Sequence, residues 1–244
     1  MNILIIGRNS QLGKTYQDYL KNNETKNNFE FISRHQFNYK NKSSISKILK
    51  LKKYDFIVNF AAYTNVEKAE IEKKKALELN AIFVDYISLL IENNTKIIHI
   101  SSDYVFDGTK RSKYLEKDKT NPINFYGLTK LKGEENIFKN MKKNALIIRT
   151  SWLYSNYNNN FVLKIIENIK QKKNMKIVND QIGSPTNAYD LVKFINLFIN
   201  NSDAIFKTHI IHFSNSGKCT WFEFAQTISS YFGDESLISP TKSR

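Results

Sequence analysis

Short apolar runs separated by longer amphipathic stretches constrain this chain more than any other feature of its sequence. The runs fall at residues 3–6, 29–32, 56–60, 96–100 and 146–149, and most are apolar at successive rather than alternate positions. Strands covered on both faces read this way, and such strands belong to parallel sheets. Between them, residues 12–20, 67–92 and 126–140 carry apolar side chains at helical spacing. In the second stretch Ala69, Ala76, Leu79, Phe83, Tyr86, Leu89 and Leu90 predict one long helix. Residues 40–53 set Lys40, Lys42, Lys47, Lys50, Lys52 and Lys53 among Ile45, Ile48, Leu49 and Leu51, the pattern of an amphipathic helix with its lysine face in water. Strands joined by helices of this length predict an α/β fold with a doubly wound parallel sheet.

Beyond residue 150 the rhythm loosens. A helix at 161–169, a short strand at 176–178, a helix at 189–198, a strand at 210–213 and a helix at 221–231 are expected among segments rich in Asn, Tyr and Lys. The expected organisation is a Rossmann-type dinucleotide-binding domain over residues 1–150, to which about 188–213 return. A smaller C-terminal substrate lobe is expected from 151–187 and 214–244.

Composition removes several classes of function. The 244 residues are 41% hydrophobic, enough for a sizeable core. One cysteine, Cys219, allows no internal disulfide and fits a reducing compartment. No stretch resembles a leader peptide or a membrane span, so a cytoplasmic location is expected and no membrane partner. The net charge of +14 invites a nucleic-acid reading, but the lysines are spread along the whole chain, so none is expected. A basic surface would still attract anionic nucleotides. His35, His99, His209 and His212 show no metal-ligand spacing, no metal is expected, and His99 reads as a core histidine.

Four segments carry chemistry. Gly7-Arg8-Asn9-Ser10-Gln11-Leu12-Gly13 follows a strand and opens a helix, where a tight turn brings backbone amides to a pyrophosphate. At the end of the second strand Ser33 and Arg34 stand where an acidic residue would grip the ribose 2′-hydroxyl of NAD. An arginine there suits the 2′-phosphate of NADP, so NADPH is the expected cofactor, with NADH as the alternative. After the third strand Ala61, Ala62, Tyr63 and Thr64 let a ligand lie across the sheet edge. Finally, Ser101 and Ser102 end the fourth strand, and Tyr126 and Lys130 share one face of the next helix. A lysine ammonium near a phenol favours the phenolate and lowers its pKa. Such a tyrosine can give a proton to a carbonyl oxygen while hydride arrives at carbon, with the Ser102 hydroxyl holding that oxygen.

In order along the chain, these segments resemble the dTDP-4-dehydrorhamnose reductase family of the extended short-chain dehydrogenase/reductase superfamily. The resemblance rests on segments 7–13, 58–70 (Val-Asn-Phe-Ala-Ala-Tyr-Thr-Asn-Val-Glu-Lys-Ala-Glu) and 101–108 (Ser-Ser-Asp-Tyr-Val-Phe-Asp-Gly). It continues through 121–134, 149–154 (Arg-Thr-Ser-Trp-Leu-Tyr) and 179–186 (Asn-Asp-Gln-Ile-Gly-Ser-Pro-Thr). It implies that Ser10, Gln11 and Leu12 face the cofactor phosphates and that Ala62, Tyr63 and Thr64 face its other half. It further implies Tyr126 as proton donor, Lys130 on the nicotinamide ribose, and Ser102, Asp103 and Trp152 on the sugar. The implied reaction reduces dTDP-4-dehydro-L-rhamnose to dTDP-L-rhamnose in deoxysugar nucleotide biosynthesis. Ser10 replaces the family's usual middle glycine, and Ser102 its more common threonine. Members usually run on past the helix at 221–231, so a shortened substrate lobe is expected, exposing Trp221, Phe222, Phe224 and Leu237. The alternatives are another nucleotide-sugar reductase or epimerase, or a non-catalytic NAD(P)-binding regulatory subunit; a homodimer is left open.

Overall fold

A computed structural model describes residues 1–92, 94–201, 208–232 and 235–243. The strands β1 (Asn2–Ile6), β2 (Asn28–Ile32), β3 (Phe56–Asn59), β4 (Lys96–Ser102) and β5 (Ala145–Thr150) form where the apolar runs place them. The helices α1 (Gln11–Lys21) and α2 (Lys42–Leu49) follow β1 and β2. Between β3 and β4 lie α3 (Val66–Ala69), α4 (Lys73–Leu77), a π-helical turn (Glu78–Ile82) and α5 (Phe83–Leu90). α6 (Phe125–Asn140) connects β4 to β5. Then come β6 (Leu153–Tyr154), α7 (Phe161–Lys170), β7 (Met175–Val178), β8 (Ile182–Gly183), β9 (Thr186–Asn187) and α8 (Ala188–Asn200). The described chain closes with β10 (His209–His212), β11 (Cys219–Thr220), α9 (Trp221–Ser230) and β12 (Ile238–Thr241).

Six strands make one parallel sheet in the order β10-β5-β4-β3-β1-β2. One face is covered by α1 and α8, through Leu12, Tyr16, Leu191 and Ile195 against Ile3, Val58 and Ile148. α2, α5 and α6 cover the other, through Ile45, Phe83, Ile87 and Ile137 against Leu4, Ile57 and Ile97. The doubly wound expectation holds. From β1 the chain runs outward to β2 and then returns to β3 on the other side. The crevice at that reversal, beyond the carboxyl ends of the strands, is where folds of this kind bind ligands.

The single helix expected over 67–92 is instead broken at 70–72. The apolar stripe survives because Ala69 and Ala76, both fully buried, keep a two-turn interval across the break. The acidic residues at the break face outward to other segments. Glu70 accepts the backbone N–H of Phe125 at 2.7 Å, and Glu72 accepts the Tyr63 hydroxyl at 2.7 Å. Neither bond is visible in a local hydrophobic pattern.

A separate apolar cluster gathers α7, β7, α9 and β12 around Ile165, Ile169, Met175, Ala225, Ile228 and Ile238. β12 pairs with β7 in parallel. Thr220 and Glu223 form a reciprocal capping box at the start of α9. Phe222, Phe224 and Leu237 pack against this cluster, and Trp221 stacks on Trp152 with ring centroids 3.5 Å apart. The expected exposure of these four side chains is therefore corrected: each is half-buried. Tyr231 and Phe232, just past α9, are the exposed ones.

Candidate active site

The glycine turn is fastened before it reaches any ligand. Gly7 and Arg8 both donate backbone N–H groups to the Ile32 carbonyl at the end of β2, at 3.0 and 2.9 Å. Gly7 has φ of 104°, and a Cβ there would sit 2.8 Å from the Ala61 nitrogen, so glycine is required. Gly13 packs behind the turn, where a Cβ would lie 2.2 Å from the Gly7 carbonyl oxygen. Ser10 caps α1 by accepting the Gly13 N–H at 3.0 Å. The middle position of the turn is thus filled by a residue whose hydroxyl has work of its own. First-turn N–H groups have no acceptor inside their helix, so those of Gln11 and Leu12 are left for an anion. The Gln11 Nε2 is buried without a partner.

These residues open onto one cavity of about 830 Å³, toward the upper end of the range of small-molecule and cofactor sites. Gly7, Ser10, Gln11, Leu12, Ser33, Arg34, Ala62, Tyr63, Thr64, Ser102, Asp103, Tyr126, Lys130 and Trp152 all line it; of the expected site residues only Gly13 does not. At the end of β2, Ser33 is buried and Arg34 exposed, with no carboxylate in ion-pair distance of Arg34 among the described residues. Across the crevice, Asn80 from the π-helical turn is fully buried. It accepts the Tyr63 N–H at 2.8 Å and donates to the Tyr63 carbonyl and the Thr129 hydroxyl, each at 3.0 Å. It fixes the Ala62-Tyr63-Thr64 wall to α6, a role that sequence reading missed. A polar residue in an otherwise apolar helical stripe was the one signal available.

The chemical end lies where β4 meets α6. Asn124 caps α6, and Gly127 lets it approach the Tyr104 carbonyl oxygen, 2.0 Å from where a Cβ would be. Tyr126 and Lys130 are buried on one face of the helix. The Ser102 hydroxyl donates to Asp103 at 3.0 Å and neighbours the Tyr126 phenol. Burial raises the Asp103 carboxyl to a pKa of about 6, against the opposing bonds from Ser102 and the backbone. Burial also raises the Tyr126 phenol well above its ordinary value; Ser102 pulls the other way, and Asp103 and Tyr104 add to the rise. The expectation that Lys130 lowers the tyrosine is therefore overturned. Lys130 instead donates to the Ile100 carbonyl at 2.6 Å, and its own pKa falls to about 8 because desolvation outweighs the attraction of Glu134. A phenol held protonated is the correct starting state for an acid.

Trp152 has φ of 47°, stacks on Trp221 and lies against Gly183, where a Cβ would meet its ring at 2.3 Å. Asn158, Asn159 and Asn160 also line the cavity, and Asn158 donates to the Asn9 carbonyl of the glycine turn at 3.0 Å. His99 is buried, as expected of a core histidine: its Nδ1 accepts from Asn59 at 3.1 Å, while Nε2 has no partner.

A doubly wound parallel sheet, a glycine turn at its reversal and a buried Ser-Tyr-Lys group beside it are the architecture of the extended short-chain dehydrogenase/reductases. Comparison narrows the class. A family model described as RmlD substrate binding domain matches residues 1–244. The chain is 33% identical to dTDP-4-dehydrorhamnose reductase of Aggregatibacter actinomycetemcomitans, over 93% of this chain and 77% of that protein. To the enzyme of the same name from Escherichia coli (strain K12) it is 34% identical, with the same 93% and 77% coverage. The crystal structure of dTDP-4-dehydrorhamnose reductase from Bacillus anthracis in complex with NADP matches with a TM-score of 0.92 at 35% identity, covering 99% of this chain and 84% of that one. The chain belongs to the dTDP-4-dehydrorhamnose reductase family.

Proposed function

We propose that the crevice binds NADPH along the glycine turn and that Tyr126 protonates the carbonyl oxygen of a dTDP-4-keto sugar at its inner end. The reaction is the reduction of dTDP-4-dehydro-L-rhamnose to dTDP-L-rhamnose, a step of deoxysugar nucleotide biosynthesis. The residues present fit the cofactor. The unpartnered Gln11 amide and the free first-turn N–H groups of α1 suit its phosphates, and Ser33 with Arg34 suits a 2′-phosphate. When bound, the reduced nicotinamide supplies hydride to C4 of the sugar.

Everything else falls to the chain's own groups. Ser102 orients the carbonyl oxygen, and Tyr126 gives it a proton as negative charge develops there. The raised pKa keeps the phenol protonated at neutral pH, and an alkoxide is basic enough to take its proton. Lys130 provides a positive charge beside the ribose position, and Asp103 and Trp152 line the sugar side. In this reading 151–187 and 214–244 form the substrate lobe, with 1–150 and about 188–213 forming the cofactor half. A cytoplasmic location belongs to the same proposal, supported by the free thiol of Cys219. Among the described residues no helix is long and apolar enough to cross a membrane.

The observation that carries the reading is the buried Tyr126 phenol beside Ser102 on the wall of the crevice. Tyr126→Phe should lower turnover by about 10²–10⁴-fold, the worth of a positioned acid. NADPH affinity, measured by fluorescence titration, should stay as it is. A Phe variant that turns over normally would remove Tyr126 from the mechanism.

A further inference from the structure

Tyr126, Lys130 and Glu134 follow one another at four-residue steps along α6 and so share one face of it. Glu134 is as deeply buried as Lys130, at 2% exposure, yet neither it nor its partner Arg149 lines the cavity. Arg149, on β5, donates to both carboxylate oxygens of Glu134, at 2.9 and 2.6 Å. The Ser101 hydroxyl, on β4, donates to the same carboxylate at 2.5 Å. Ser101 and Arg149 are register partners across the two strands, and the next pair outward is Ser102 with Thr150, both on the cavity wall. The carboxylate therefore bridges two strands and the catalytic helix one rung beneath the reacting groups. Beside it, the Lys130 ammonium holds the carbonyl of Ile100. The helix is fastened to β4 at two successive residues immediately before Ser102.

We propose that Glu134, clamped by Arg149, is a positioning residue for the reduction: it sets the depth at which Tyr126 meets Ser102. Stability alone gives a weak reason for such a pair, since apolar side chains of similar volume usually serve a core as well as a buried ion pair. Here every oxygen of the carboxylate is spent on aligning three elements that each contribute to the site. Its charge has a second effect, because Glu134 is the group whose attraction offsets the desolvation of Lys130. The ionisable groups facing this set are Lys130 and Tyr126 on α6, His99 on β4, Arg149 on β5, His212 on β10, and Glu116 from the loop before α6. None of these acts to keep Lys130 charged; Glu134 alone does.

The inference rests on the proposed site and is tested apart from it. Removing one partner would leave a buried charge uncompensated, so the informative variant is Glu134→Met with Arg149→Met. It should fold, with its unfolding midpoint retained and NADPH affinity unchanged, while kcat falls by about 10²-fold, the cost of a misplacement near 1 Å. The alkaline limb of its kcat–pH profile should also move to lower pH, because Lys130 loses the neighbour that holds its proton. Ser101→Ala removes one tie without touching a charge, and should lower kcat by several-fold with the alkaline limb in place. A folded double variant with wild-type kcat and an unmoved alkaline limb overturns the inference. If the double variant does not fold, wild-type kcat in Ser101→Ala does so instead. Normal turnover in Tyr126→Phe would overturn the site itself, which neither of these outcomes does.

Discussion

Ser33, Arg34 and His35 face the cavity at the end of β2, and no carboxylate stands among them to bind a ribose diol. The Arg34 guanidinium is exposed and unpaired among the described carboxylates, so its charge is free for a phosphate. Charge-assisted hydrogen bonds are worth about 1.5–3 kcal/mol, so Arg34→Ala should weaken NADPH binding by roughly tenfold or more. NADH affinity should hardly change. Equal losses for both cofactors in fluorescence titration would show that Arg34 does not read the 2′-phosphate. The residues that line the cavity were legible wherever their placement depends on local spacing: the glycine turn, Ser33 with Arg34, and Tyr126 with Lys130. Those that act through a distant partner were not. Asn80 works by holding Tyr63 and Thr129, and Glu134 by holding Arg149, and neither partner is implied by the neighbouring sequence. The Tyr126 pKa was misread for a related reason, since spacing places the lysine but does not reveal that the phenol is desolvated.

The loop between β6 and α7 crosses from the smaller apolar cluster back to the cofactor side. There Tyr157 donates its hydroxyl to Asp18 on α1. Asn158 accepts from the Lys14 ammonium at 2.8 Å and donates to the Asn9 carbonyl at 3.0 Å. Asn158, Asn159 and Asn160 then form part of the cavity wall above the glycine turn. A ligand lying on that turn sits under the loop, and its departure should require those bonds to open. Asn158 has φ of 57°, so Asn158→Gly keeps the backbone unstrained while removing both bonds. At about 1 kcal/mol for each net bond, about 2 kcal/mol for the two, NADPH dissociation followed by stopped flow should quicken by roughly thirtyfold. An unchanged dissociation rate would mean the loop does not retain the cofactor. The sequence placed the flanking helix at 161–169 within one residue of α7. It gave no hint of the loop's contacts, because Asn-rich loops carry no periodicity. The break in the stretch from α3 to α5 was hidden for the opposite reason: an intact apolar stripe concealed two carboxylates bonded to other segments.

For the whole molecule, the doubly wound sheet was legible because its strands are apolar runs and its crossovers carry apolar residues at helical spacing, an interval kept even across the break between α3 and α4. What the pattern could not convey is how polar parts of that core are, and this governs how stability varies with pH. His99 stands in the middle of β4, fully buried. The Asn59 carbonyl oxygen accepts the Ala61 N–H, so the Asn59 amide must point its NH₂ group at His99 Nδ1, which accepts. A second proton on the ring would set donor against donor. Desolvation first, and then repulsion from Lys130, hold the imidazole neutral well below its ordinary pKa. In the unfolded chain the same ring titrates near 6.5. Below that value the unfolded state binds a proton that the folded state refuses, so acid drains stability from this group; above it the contribution is constant. Asp103, with its raised pKa of about 6, opposes part of this trend, since the folded state binds the proton more readily there. A comparison of wild type with His99→Gln cancels the Asp103 contribution. Between pH 7 and pH 5.5 the wild type should lose about 1 kcal/mol more unfolding free energy than the variant, by integration of that linkage. Urea unfolding at the two pH values measures the difference directly, and parallel losses in the two proteins would show that His99 takes up its proton without leaving the core.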